Sequence, residues 1–169
     1  MLALEDFTVI RAPIERCFDL ARSVEVHLAG NVHWGESACA VAGVTSGLLA
    51  PGQQVTWSAR HFAVRLSLTS RITAMDRPAY FQDVMLRGPF RSMRHEHHFR
   101  PLDAGRTEMH DRFFVEAPWG ALGRVAEILV LRRYMGALLR ERNGVIREIA
   151  ESSRWRRYLP PGADGKWLE

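Results

Sequence analysis

Cysteine and long apolar runs are both scarce in this sequence. Its two cysteines, Cys17 and Cys39, cannot build a disulfide framework, so we expect packing thiols in a reducing compartment. The most apolar stretch, residues 122–131, is interrupted by Arg124 and Glu127 and is too short and charged to cross a bilayer. The first residues include no basic leader followed by an apolar segment, so we expect no signal peptide and a cytoplasmic location.

The motifs of the large cofactor and nucleic-acid classes are also missing. The chain contains no P-loop, no G-x-G-x-x-G, no G-x-S-x-G nucleophile elbow and no zinc-finger spacing. We therefore assign it no cofactor and no nucleic-acid partner. What is present, 47% apolar and 25% charged residues, is the composition of an ordinary globular domain.

A modest excess of positive charge is concentrated near the end of the chain. The formal net charge is +4, and three arginines flank Trp155 shortly before a pair of prolines. We divide the chain into one domain, residues 1–152, and a basic tail containing Trp and Pro, residues 153–169. This tail could contact a partner or an anionic surface, or it could be the frayed end of a helix.

Strand-like segments make up most of the domain. The predicted strands cover residues 4–11, 36–43, 53–62, 65–75, 79–88, 91–102 and 106–118. Short breakers containing Gly, Pro or Asp separate most of the last six, and parallel pairing would need longer crossovers. The pattern predicts a seven-stranded antiparallel sheet.

Helical patterns occur at both ends of this series. Pro13 begins one short helix, because proline favours the first helical turn, and Ser23 is a candidate N-cap for a second that ends near Gly30. A long helix is predicted over residues 120–151. Its apolar stripe consists of Ile128, Leu131, Met135, Leu138, Val145 and Ile149. Together these elements predict an α+β fold in which a curved sheet and the long helix enclose a cavity.

Alternation along the last strands places histidines and aspartates on one face. Odd positions there are apolar or carry imidazole and carboxylate groups, whereas most even positions are charged, so the odd set should face the helix. Tight turns then set Asp83 opposite His95 and His97 opposite Asp111. A slip of one residue would move both pairs to the solvent face.

We predict that these groups form the polar part of a ligand site inside the cavity. A carboxylate beside an imidazole can hold a ligand hydroxyl or carbonyl or act as a general base, but it can also be a satisfied network without chemistry. Trp57 is either part of the cavity wall or core. The predicted ligand-binding residues are Trp57, His61, Phe81, Asp83, Met85, His95, His97, Phe99, Met109, Asp111, Phe113, Met135 and Arg142.

Two features of this set allow more than one interpretation. Arg142 interrupts the apolar stripe and either reaches the cavity to pair with a carboxylate or an anionic ligand group, or extends along the helix surface. The His95-x-His97 spacing could hold a metal ion with oxygens from Asp83 and Asp111. No third His or Cys is placed with them, so we assign no metal site.

The order of elements resembles the helix-grip fold of the SRPBCC superfamily, which includes START domains, polyketide cyclases/dehydratases and birch-pollen-allergen-like proteins. The resemblance covers about residues 4–152. At finer scale the chain is similar to a bacterial ligand-binding branch, through the segments 42–62, 81–99 and Glu141–Asn143. The resemblance implies a deep apolar cavity and no universal catalytic set, and it leaves the segment after the helix unexplained.

Two functions follow as hypotheses, and a third concerns the tail. The first is binding of a small hydrophobic molecule, lipid-, polyketide- or aromatic-like, oriented by the His and Asp groups. The second is an enzyme of the polyketide cyclase/dehydratase type that uses a His/Asp acid–base pair. The third is an interaction module that docks through the tail. The sequence does not specify the oligomeric state.

Overall fold

The fold is built from one sheet and helices that follow the predicted order. The structure, a computed structural model, describes residues 1–30, 39–61, 64–118, 120 and 130–160. The strands are β1 (Leu2–Ile10), β2 (Cys39–Gly43), β3 (Gln54–His61), β4 (Val64–Asp76), β5 (Tyr80–Arg87), β6 (Ser92–Asp103) and β7 (Arg106–Glu116). The helices are α1 (Ile14–Ala21), α2 (Val24–Ala29) and α3 (Arg132–Glu151), followed by a short 3₁₀ helix (Ser153–Arg157).

The strands form a curved seven-stranded antiparallel sheet in the order β1-β7-β6-β5-β4-β3-β2. Each strand from β2 to β6 pairs with the next strand in sequence, because the connections are too short for a parallel crossover. The first strand, β1, pairs with the last strand, β7. This arrangement confirms the predicted sheet and leaves β1 and β2 at its edges.

The helices lie where the sequence predicted them, with one boundary outside the described residues. In α1, Cys17 and Phe18 are fully buried, as the apolar face required. Ser23 caps α2, since its hydroxyl accepts a hydrogen bond from the Val26 amide at 3.4 Å. Ile128, predicted to begin the stripe of the long helix, lies outside the described residues, and α3 begins at Arg132.

An apolar core joins α1 and α3 to one end of the sheet. The Phe18 ring of α1 makes edge-to-face contacts with the rings of Phe81 and Phe99, at centroid distances of 5.4 and 5.5 Å. Ile146 and Ile149 of α3 are buried in the same cluster. A second, smaller cluster lies at the other end of the sheet. The site lies between the two.

The first part of the segment predicted as a tail packs on the domain. Leu159 is buried in the main core, and Trp155 and Tyr158 pack against it. The Arg16 guanidinium stacks over the Trp155 ring at 4.4 Å. Residues 161–169 lie outside the described residues. In the described part of the chain, no helix is long and apolar enough to span a membrane.

Candidate functional site

The register of β5, β6 and β7 places the predicted polar pairs on the concave face. Asp83 lies opposite His95, and His97 lies opposite both Phe81 and Asp111 on its two neighbouring strands. The odd positions from Met93 to Phe99 in β6 and from Thr107 to Val115 in β7 are buried, as predicted from their alternation. The geometric prediction from the sequence is confirmed.

A cavity of about 280 Å³ lies between this face and α3. Its wall is mostly apolar and includes Phe81 and Phe113 from the sheet and Met135, Leu138 and Leu139 from α3. The polar part of the wall is contributed chiefly by Asp83, His95, His97, Ser70, Arg22, His27 and Arg142. The site is thus an apolar pocket with a polar group concentrated around β5 and β6.

His97 occupies the centre of the polar group, with one aspartate at each ring nitrogen. Its Nδ1 lies 2.5 Å from Asp111 Oδ1, and its Nε2 lies 3.3 Å from Asp83 Oδ1. The neighbouring His95 approaches the same Asp111 oxygen through Nε2 at 3.4 Å. Asp111 is 0% exposed and His97 1% exposed, so these charges interact without competition from water.

The contacts of Asp111 are close but poorly aligned. Neither of its carboxylate oxygens has a hydrogen bond of standard geometry to the described residues, nor do His97 Nδ1 and His95 Nε2. Arg142 adds an ion-pair contact from Nη1 to Asp111 Oδ2 at 3.7 Å and donates from Nη2 to the Ala21 carbonyl at 2.9 Å. Of the two interpretations of Arg142, the structure supports the one that reaches the cavity.

A third carboxylate, Asp6 of β1, lies directly across from Asp111 in the sheet. Its Oδ2 accepts hydrogen bonds from the Asn143 amide at 2.9 Å and from the Thr8 hydroxyl at 3.0 Å. Like charges at opposed positions destabilise a sheet unless they are compensated. The concave face therefore gathers three aspartates around one guanidinium and two imidazoles.

Desolvation and the neighbouring charges set the protonation of this cluster. Burial, assisted by the charge of His97, lowers the pKa of His95 to about 4. Burial would raise the pKa of Asp111, but the charge of His97 and the close contacts with both imidazoles outweigh it and hold that pKa well below its ordinary value. The pKa of Asp83 is lowered against the same opposing effect of burial, chiefly by its hydrogen bond to His97. At neutral pH both carboxylates are ionised and His95 is neutral.

Another histidine lines the cavity from α2. The His27 ring stacks on Trp57 with centroids 4.0 Å apart, and both line the wall. Removal from water, followed by the charge of Arg142, lowers the pKa of His27 to about 3. Sequence reasoning missed His27, because the spacing of α2 gives no signal that its last turn faces the sheet.

The structure brings most, but not all, of the predicted residues to the cavity. Asp111 lies beneath the wall rather than in it, in contact with residues that line it. The side chain of His61 lies outside the described residues. The residues that line the cavity as predicted are Trp57, Phe81, Asp83, His95, His97, Phe113, Met135 and Arg142.

Besides Asp111, three predicted residues do not line the cavity. Phe99 and Met109 are buried in the main core, because α1 covers that end of the sheet and inserts Phe18 against Phe99. Met85 packs with the smaller core cluster at the opposite end. The alternation of odd and even positions assigned these three side chains to the concave face correctly. It carries no information about which part of that face a helix covers.

One group of side chains has the donors and spacing of a metal site. A ring nitrogen from each of His95 and His97 and a carboxylate oxygen of Asp83 all lie within 4.8 Å of one another. Imidazole nitrogen and carboxylate oxygen are ligands of divalent transition metals in proteins.

Comparison with solved structures decides the fold. A protein of Thermus thermophilus, TTHA0849, superposes with a TM-score of 0.65 at 16% identity, covering 86% of this chain and 97% of that one. A START superfamily protein from Mycobacterium smegmatis has the same TM-score at 12% identity, covering 88% of this chain and 97% of its own. The chain has the START-like helix-grip fold.

A further helix-grip neighbour is the Ms6760 protein of Mycobacterium smegmatis, with a TM-score of 0.62 at 18% identity over 88% of this chain and 90% of that one. The sequence matches no protein-family model, and no curated protein is significantly similar to it. At these identities the shared property is the helix-grip fold, and the function must be argued from the site itself.

Proposed function

We propose that this protein binds a small hydrophobic molecule carrying a polar group in the cavity between the sheet and α3. The observation that carries the proposal is the cavity of about 280 Å³ with an apolar wall and one concentrated polar group. Its volume lies close to the lower end of the roughly 300–1,000 Å³ of small-molecule sites. Similarity in fold to a START superfamily protein supports the same conclusion.

The apolar wall supplies most of the binding free energy in this proposal. Leu66 and Leu68 of β4, Phe113 of β7 and Leu138 of α3 line the cavity. Covering such surface with an apolar ligand contributes about 25 cal/mol for each Å² removed from water. This contribution has no direction, so it selects for size and apolar character rather than for a particular chemical group.

The polar group orients the ligand. Asp83 offers an ionised carboxylate, which accepts a hydrogen bond from a ligand hydroxyl, while Arg142 offers a guanidinium that donates to a carbonyl or carboxylate. The two groups therefore favour a ligand with adjacent donor and acceptor atoms at one end. Lipid-, polyketide- and aromatic-like molecules with a hydroxyl or carbonyl fit this description.

A cavity-filling substitution tests the binding site. Ala59 of β3 lines the cavity, and Ala42 of β2 is exposed, so Ala59→Phe and its matched control Ala42→Phe add the same ring inside and outside. The neutral fluorophore N-phenylnaphthylamine should bind the wild-type chain and the control alike and should bind Ala59→Phe at least about tenfold more weakly. Equal binding by both variants, or no binding by the wild type, would contradict the proposal.

A second candidate function, catalysis of the cyclase or dehydratase type, rests on the position of His95. It lines the cavity as a neutral imidazole beside the carboxylate of Asp111, so it can take a proton from the carbon next to a ligand carbonyl. The Arg142 guanidinium would then stabilise the enolate oxygen. A base with a pKa of about 4 is weak at neutral pH, which is why binding is the leading proposal.

Substitution by Gln separates the two functions. With a linear poly-β-ketone as the test substrate, His95→Gln and His97→Gln should abolish turnover while binding of N-phenylnaphthylamine is retained. Full turnover in both variants, or no turnover in the wild type over a panel of such ketones, excludes the catalytic role and leaves the binding function standing.

A further inference from the structure

Both ring nitrogens of His97 face a carboxylate oxygen, an arrangement that an added proton or a metal ion would stabilise. Asp111 lies at Nδ1 and Asp83 at Nε2. A neutral imidazole has one N–H, which can donate to only one of them. The other nitrogen then presents a lone pair to the second carboxylate, an arrangement that a proton or a metal ion between the two atoms would relieve.

We propose that Asp83, His95 and His97 bind one divalent first-row transition-metal ion in the wall of the cavity. Their donor atoms lie within 4.8 Å of one another, and two of them, His97 Nε2 and Asp83 Oδ1, are 3.3 Å apart. Metal–ligand bonds of about 2.0–2.2 Å place adjacent ligand atoms about 3.0–3.5 Å apart. That pair needs almost no movement to become two ligands of one ion.

Asp111 provides the outer-shell partner that such sites use. A metal-bound histidine usually donates its second ring N–H to a carboxylate, which fixes the ring and its tautomer. Here Asp111 lies 2.5 Å from His97 Nδ1 and is itself fully buried. This leaves His97 Nε2, on the side of Asp83, as the nitrogen with a free lone pair.

The charge and bonding of the surrounding groups favour a cation as well. Asp6, Asp83 and Asp111 lie on one face, and the guanidinium of Arg142 contacts one of them, Asp111. His95, 9% exposed and in the cavity wall, has an Nε2 atom whose contact with Asp111 Oδ1, at 3.4 Å, is not a hydrogen bond of standard geometry. Two imidazoles and one carboxylate leave coordination positions open toward the cavity, where water or a ligand oxygen would bind.

Titration with Co²⁺ and Zn²⁺ tests the site in the tag-free, chelator-treated full chain. The wild type should bind one Co²⁺ per chain, with visible absorption bands that Zn²⁺ removes and Mg²⁺ does not, because Mg²⁺ prefers oxygen ligands. Loss of an outer-shell partner alone costs about 10–100-fold in metal affinity, so Asp111→Asn should weaken binding by that factor. Asp83→Asn and His95→Gln remove ligands and should weaken it by more than about 100-fold.

His98→Gln is the matched control, because His98 follows on the same strand but points to the convex face with 40% of its side chain exposed. It should bind Co²⁺ as the wild type does. If a variant fails to fold, the wild type still decides: bound Co²⁺ should shift and broaden the ring protons of His95 and His97 before those of His98 and His110.

Absence of stoichiometric Co²⁺, unchanged affinity in folded Asp83→Asn and His95→Gln, or broadening centred on His98 and His110 would each overturn the proposal. None of these results bears on the apolar cavity, since binding of N-phenylnaphthylamine to the metal-free chain is measured separately.

Discussion

The two faces of strands β6 and β7 carry the same residue types in different surroundings. On the concave face, His95 and His97 meet Asp111, which is fully buried. On the convex face, His98 lies 3.5 Å from Glu96, and His110 lies 3.4 Å from a carboxylate whose side chain is 47% exposed, that of Glu5. Imidazoles and carboxylates thus form ion-pair contacts on both sides of one sheet.

Desolvation is what separates a candidate site from an ordinary surface in this molecule. Burial lowers the pKa of His95 to about 4. Burial would raise the pKa of Asp111, and the neighbouring imidazoles lower it instead. A pair with an exposed partner at a similar distance, such as that of His110 with Glu5, is screened by water and contributes little. Composition alone would rank the two faces equally, whereas the position under α3 removes His97 and Asp111 from water.

Removal of one carboxylate from each face should give the largest contrast. Asp111→Asn breaks a buried charge cluster and should lower the free energy of unfolding by about 3–5 kcal/mol. Glu5→Gln, on the convex face, should change it by only about 0–1 kcal/mol. Urea denaturation of both variants measures the difference, and equal losses would show that burial does not govern these pairs.

The next contrast uses two phenylalanines that each stack on a histidine. Phe81 is 2% exposed and stacks on His97 at 4.1 Å, while Phe7 is 61% exposed and stacks on His110 at 3.9 Å. Phe81→Ala should cost about 3 kcal/mol, the lower end for a core phenylalanine because one side already borders a cavity. Phe7→Ala should cost less than about 1 kcal/mol. Thermal or urea unfolding that ranks them the other way would contradict the comparison.

A smaller contrast concerns two side-chain amides. Asn143 of α3 is fully buried and donates to Asp6 at 2.9 Å, whereas Gln82 donates to Thr73 at 2.7 Å in an exposed pair. Asn143→Ala leaves Asp6 short of a donor and should cost about 1–3 kcal/mol. Gln82→Ala, measured in the same urea series, should stay within about 0.5 kcal/mol of the wild type.

A last contrast concerns the pH dependence of stability rather than its value at one pH. His95 titrates near its ordinary pKa of 6.5 when unfolded and at about 4 when folded. Between these values the unfolded state holds more protons, so stability falls as pH falls from about 6.5 to about 4. His95→Gln should make this decline shallower, leaving the part due to His27, while His98→Gln should not. Unfolding of chelator-treated protein across this range provides the measurement; identical slopes in all three proteins would count against a buried neutral His95.

Alternation and turn spacing were sufficient to predict the sheet and half of the site. Strands have a period of two and tight turns fix their register, so the pairs Asp83/His95 and His97/Asp111 followed from β5, β6 and β7 alone. An interruption in a helical stripe singled out Arg142, but only the structure decided that it reaches Asp111 rather than extending along the helix surface.

The remainder of the site depends on contacts between elements that are distant in sequence. His27 faces the cavity because α2 packs it onto Trp57, and Asp6 joins the cluster because β1 pairs with the last strand. Phe99 belongs to the core because Phe18 of α1 covers it. The periodicity of a sequence does not indicate where a helix packs on a sheet. The positions of His27, Asp6 and Phe99 could therefore be assigned only from the structure.

The central claim is that the concave imidazoles, and not the convex ones, face the bound molecule. Ring resonances of the histidines, recorded by NMR while N-phenylnaphthylamine is added to the metal-free full chain, test it directly. The account predicts shifts at His95 and His97 with those of His98 and His110 unchanged. Shifts confined to His98 and His110, or none at saturation, would contradict it.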